Sequence, residues 1–148
     1  MSKIDEIIAT AKQRGQQMKL DYVGALFPAE AQILRETTGA IIVDVRSKAE
    51  LDFVGRITGS VEIELKTYPG MKPNPDFVSQ LTTAVPLATT VMFICRSGAR
   101  SHEAASAAAA AGYRSAFNVL EGFEGDRDPA GHRNTVGGWR AARLPWSQ

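Results

Sequence analysis

The sequence predicts one α/β domain: a mostly parallel central sheet flanked by helices in three layers. Two observations carry this. The runs "AIIVDVR" (40–46) and "TTVMFIC" (89–95) are short and dominated by apolar, largely β-branched residues, as strands buried on both faces are. Segments with helical spacing and capping residues lie between and around them, so strands and helices alternate along the chain. A chain of 148 residues, 44% apolar and 22% charged, can bury a single core without disulfides or metals.

Each element has its own signal. In "MSKIDEIIATAKQRGQQ", Ile4, Ile7, Ile8 and Ala11 fall at helical spacing and Ser2 suits a cap, giving a helix over 2–18. "PAEAQILRETTG" (28–39) reads as a helix opened by Pro28 and closed by Gly39. Ser47 caps a one- or two-turn helix through "KAELDF", and "SVEIEL" (60–65) alternates like a strand with one wet face. "KTYPGMKPNP" is loop by composition, after which Asn74 or Asp76 caps a helix through "DFVSQLTTA". An alanine-rich helix over 101–111 ends at Gly112, and "AFNVLEG" (116–122) gives another strand. Residues 125–148 form an extension beyond a core of about 20–125. It opens as a surface loop and ends in a helical turn with two tryptophans expected to pack back on the body.

Composition narrows the function classes. Seventeen basic and sixteen acidic residues leave a formal charge of +1, so no nucleic-acid partner is expected. No stretch nears the roughly 20 apolar residues that cross a bilayer, so no membrane partner is expected. The N-terminus lacks the apolar run of a signal peptide, which points to a cytoplasmic protein whose single cysteine stays reduced. Two histidines thirty positions apart and one cysteine give no ligand spacing, so no metal and no cofactor are expected.

The cysteine itself carries the chemistry. In "FICRSGARSHE", Cys95 ends an apolar strand and precedes a helix, where open parallel sheets bind their ligands. A lone cysteine after such a strand is more often a small core residue. Here Arg96 and Arg100 flank it, and Ser97, Gly98 and Ala99 let the backbone curl so that amides converge on one point. The helix amino terminus and the arginine forks favour an anion there, and with it a thiolate nucleophile. Cys95 is therefore the catalytic candidate, with Arg96, Ser97, Gly98, Ala99, Arg100 and Ser101 as its anion-binding loop.

With those residues in view, the chain resembles the rhodanese family of single-domain sulfurtransferases. The segments "IIVDVRSKAEL", "GRITGSVEIEL", "VMFICRSGARS" and "AGYRSAFNVLEGFEG" span residues 40–125 in the family's order. The resemblance implies a rhodanese-like three-layer fold and a thiosulfate sulfurtransferase working by double displacement. Cys95 would accept a sulfane sulfur as a persulfide from thiosulfate or a similar small anionic donor. It would pass that sulfur to cyanide or an external thiol, a protein thiol among them. It also implies that the amides of 96–101 cradle the persulfide while Arg96 and Arg100 meet the sulfonate. Arg56 and Thr58 depart from the family's usual His and Pro, which bears on substrate access and makes Arg56 an accessory candidate.

Loop length separates relatives. Cysteine phosphatases and arsenate reductases on this fold use a ring one residue longer, with His before the cysteine. Here four residues separate Cys95 from Arg100 and Ile94 precedes it, which suits one terminal sulfur better than a tetrahedral oxyanion. A sulfur relay between proteins would use the same residues, and a non-catalytic recognition module would not need the intact loop. Asp44 and Arg46 read as a structural ion pair, and His102 as either a base near Cys95 or a solvent-facing residue. His132, Arg133 and Arg140 read as solvated loop rather than pocket mouth.

Overall fold

The computed structural model describes residues 2–148. The chain opens with α1 (Lys3–Gln17) and the short strand β1 (Gly24–Leu26), then α2 (Pro28–Thr38), β2 (Ile41–Asp44) and α3 (Lys48–Val54). β3 (Val61–Glu62) and the pair β4 (Lys66–Thr67) and β5 (Lys72–Pro73) precede α4 (Phe77–Ala84). β6 (Val91–Ile94), α5 (Ala99–Ala110) and β7 (Ala116–Val119) complete the regular structure. Five strands form one parallel sheet in the order β1-β7-β6-β2-β3, so β6 lies at its centre.

Alternation along the strands sends side chains to two separate cores. Val43, Val91 and Phe93 pack with Phe77 and Leu81 of α4 and Ala104, Ala105 and Ala108 of α5. Ile42, Met92 and Ile94 face the other way, onto Ile7 and Ala11 of α1 and Ala31 and Leu34 of α2. This is why the central strands read as continuous apolar runs. The small alanines of α5 let that helix lie close against β6 and β7.

Local signals explain most boundaries. Ser2 and Asp5 form a capping box on α1, and Ser47 and Glu50 form one on α3. Pro28 opens α2, and Gly39 ends it in the left-handed region. Four expectations need correction. α5 starts at Ala99, because Gly98 supplies its positive-φ cap, so Arg100 and Ser101 stand in its first turn. "SVEIEL" pairs as a ladder only at Val61–Glu62, although the Ile63 and Leu65 amides still donate to Asp44 and Val45. The proline-rich "KTYPGMKP" folds as the antiparallel β4–β5 hairpin rather than open loop. β1 was not expected at all, since "GAL" is too short to show a period.

Residues 120–148 wrap the carboxyl end of the sheet without a named helix. Trp139 is fully buried in the α1/α2-side core, its indole N–H donating to the Pro145 carbonyl at 2.8 Å. Trp146 stands edge-on to Phe123, with ring centres 6.0 Å apart. No helix among the described residues is long and apolar enough to cross a membrane.

Candidate active site around Cys95

Cys95 follows the last residue of β6 at the carboxyl end of the sheet and is 1% exposed. Gly98, with φ +115°, turns the chain so that its N–H donates to Cys95 Sγ at 3.1 Å. Only glycine takes that backbone without strain. Ser101, one turn into α5 and fully buried, places Oγ 3.3 Å from Sγ. The sulfur thus sits against the amino end of a twelve-residue helix, whose unpaired amides and dipole favour negative charge.

Ser101 links the sulfur to a residue of the next strand. Its Oγ lies 2.6 Å from Oδ1 of Asn118, and the Asn118 amide donates to the Gly98 carbonyl at 3.3 Å. A hydroxyl has one proton to give. While Ser101 donates to Asn118 it accepts from the Cys95 thiol; once Cys95 is ionised, the same hydroxyl can rotate to donate to sulfur. Asn118 is a polar residue inside an apolar strand, and that mismatch was its available signal in "AFNV".

A second loop locks the first. The Phe123 and Glu124 amides donate to the Cys95 and Arg96 carbonyls at 2.8 and 3.0 Å. Gly122, at φ +67°, permits this contact: a Cβ there would stand 2.5 Å from the Cys95 oxygen and 2.6 Å from that of Arg96.

The two arginines differ. Arg96 is exposed, whereas Arg100 is buried and grips Glu50 of α3 through both guanidinium nitrogens, at 2.7 and 2.9 Å. Burial alone would push the Glu50 carboxyl up. The hydrogen bonds and charge of Arg100, with the Ser47 contacts, outweigh it and hold the group at about 2. Glu50 had been hidden by its other task, since its spacing from Ser47 reads as a helix cap and nothing more. Arg96, Arg100 and Glu50 line an open cleft of about 550 Å³ together with Tyr68, Met71 and Arg133.

The other candidates, Arg133 excepted, fall outside this cluster. Arg56 lines a neighbouring cleft with Lys48, Glu62 and Glu64 and is held by Asp52 at 3.0 Å and Glu62 at 2.9 Å. It thus stands in a surface ion-pair network. His102 is exposed and its Nδ1 lies 2.7 Å from the Tyr22 hydroxyl, which burial pushes up to about 12 despite a side-chain contact with Asn118. Asp44 and Arg46 form the expected buried pair at 2.8 Å, with the guanidinium over the Phe123 ring at 4.1 Å. Arg133 lines the cleft, contrary to the solvated-loop expectation. Arg140 instead donates to the Val54 carbonyl, and His132 is exposed.

A parallel sheet whose central strand ends in a cysteine, a tight glycine-bearing loop and a helix amino terminus sets the geometry for comparison. The family model of the rhodanese-like domain matches residues 27–127. This chain belongs to the rhodanese-like domain family. It is 41% identical to Rv0390 from M. tuberculosis, whose crystal structure superposes with a TM-score of 0.78 over 86% of this chain and 98% of that one. An uncharacterized protein of Rickettsia prowazekii (strain Madrid E) is 32% identical over 109 residues, 72% of this chain and 82% of the other. The polysulfide-sulfur transferase homodimer of Wolinella succinogenes shares the fold at 20% identity, with a TM-score of 0.57 over 99% and 93% of the two chains. Within this rhodanese-like domain the β6–α5 loop is the part that carries the single cysteine.

Proposed function

We propose that this rhodanese-like protein is a sulfurtransferase in which Cys95 accepts a sulfane sulfur and passes it to an external thiophile. One observation carries the reading: the only sulfur nucleophile of the chain is held by the Gly98 amide and the Ser101 hydroxyl at the amino end of α5. An amide donor, a hydroxyl and a helix amino end are groups that stabilise negative charge developing nearby.

The donors are thiosulfate or a persulfide. With thiosulfate, the Cys95 thiolate attacks the outer sulfur, the new S–S bond forms, and the old one breaks as sulfite leaves with its electron pair. Helix amides and nearby guanidinium groups stabilise the charge that develops on the leaving group. In the second half, cyanide or a thiol attacks the outer sulfur of the persulfide and Cys95 leaves as thiolate. The chain holds no second cysteine to resolve the persulfide, so the acceptor comes from outside. A protein thiol would serve by the same chemistry.

Intact-mass measurement after incubation with thiosulfate or glutathione persulfide tests this. The expected result is a gain of one sulfur on the wild type and none on Cys95→Ala. A folded wild type that gains no sulfur from either donor would overturn the proposal.

A further inference from the structure

The reading of Cys95 as a sulfur acceptor leaves its donor open, and the cleft bears on that choice. We propose that Glu50 is a specificity-determining residue that turns the site away from dianionic thiosulfate and toward organic persulfides. This rests on the sulfurtransferase reading.

The first argument is charge. The buried guanidinium of the lining, that of Arg100, is already matched by the Glu50 carboxylate in a two-pronged pair. An incoming sulfonate must displace that carboxylate or lie beside it. Glu124 adds a second carboxylate to the lining, against Arg96 and Arg133 on the cationic side, and Arg133 is tied by a 2.7 Å bond to the Gly125 carbonyl. Thiosulfate brings two negative charges and expels sulfite with two. An organic persulfide, R–S–SH, gives up its outer sulfur to the Cys95 thiolate and leaves as R–S⁻, with one. The carboxylate thus acts as a repulsive element against the more highly charged donor.

Shape is the second argument. Part of the cleft lining is apolar: Val54 and Ala49 of α3, with Tyr68 and Met71 of the β4–β5 hairpin. Tyr68 is 66% exposed and Met71 41%, so both have surface left to cover. An inorganic oxyanion gains nothing from such a wall, whereas the carbon body of an organic persulfide can cover it.

Glu50→Gln is the direct test, because Gln still serves the capping box with Ser47 while the charge is removed. Steady-state kcat/KM is measured on both proteins for thiosulfate and for benzyl persulfide, whose carbon body carries no charge. The expected result is a rise in thiosulfate kcat/KM of roughly tenfold, through KM, with a matching fall in the preference for persulfide. A purely supportive Glu50 would instead lower kcat/KM for both donors, and that outcome, or an unaltered thiosulfate value, overturns the proposal. Should Glu50→Gln fail to fold, Met71→Ser on the exposed hairpin decides. It is expected to lower the persulfide-to-thiosulfate ratio of kcat/KM roughly fivefold, and an unaltered ratio overturns the proposal. If the wild type takes sulfur from neither donor, the underlying sulfurtransferase reading is what fails.

Discussion

The Glu50 carboxylate and the Arg100 guanidinium meet through two hydrogen bonds of 2.7 and 2.9 Å, joining the helix after β2 to the helix after Cys95. Both side chains are largely withdrawn from water, at 20% and 11% exposure. The pair fixes α3 against the helix after Cys95 and sets the charge of that side of the cleft.

Removing Arg100 strands a carboxylate. Arg100→Ala is expected to lower the unfolding free energy by about 2 kcal/mol and to reduce kcat/KM for either sulfur donor. Arg100→Lys keeps the charge but not the fork, and should recover only part of both losses. Urea unfolding and donor kinetics on the two variants check this; a wild-type midpoint in Arg100→Ala would remove the pair from the stability account.

Acid should weaken the fold through the same pair. The Glu50 carboxyl lies at about 2 in the folded protein against an ordinary 4.5. Its stabilisation is therefore complete above about 4.5 and is lost as pH falls through 4.5 toward 2. The urea midpoint of the wild type should fall across that window more steeply than that of Glu50→Gln. Equal slopes would show that Glu50 does not carry the effect.

Gly122→Ala should disturb the site without touching a chemical group. It places a Cβ against two backbone oxygens of the cysteine loop at positive φ, where neither can yield cheaply. A loss of about 2 kcal/mol or more is expected, together with slower sulfur uptake by Cys95. Differential scanning calorimetry and stopped-flow uptake would read the two effects, and a wild-type melting temperature would contradict the packing described.

Ser101→Ala removes the hydroxyl between Cys95 and Asn118, leaving Asn118 Oδ1 buried without that donor. A stability loss of about 1 kcal/mol is expected, with a fall in kcat larger than any change in KM. Ser101→Thr keeps the hydroxyl and should restore most of the rate. Equal rates in the alanine and threonine variants would show that the hydroxyl takes no part.

The candidate cysteine and the geometry of its loop were legible because they are contiguous in sequence. "CRSGARS" joins a strand to a helix, and strand-end placement follows from apolar patterning alone. The partners of that loop were less so, because Glu50 and Asn118 reach it across 45 and 23 positions of chain. Nothing local to Glu50 separates a helix cap from a clamp on Arg100, since one carboxylate does both. Arg56 shows the converse. It sits in a segment matching the family's order, yet two nearby carboxylates hold it in another cleft. β1 and the β4–β5 hairpin escaped because strands of two or three residues are set by pairing partners rather than by their own pattern.

Single-turnover transfer at Cys95 tests the account most directly. With enzyme in excess over thiosulfate or glutathione persulfide and no acceptor present, sulfite or thiol should appear in step with the gain of one sulfur at Cys95. Adding cyanide or a thiol should then return the protein to its starting mass. Leaving group released with no sulfur on Cys95, or equal release by Cys95→Ala, would contradict it.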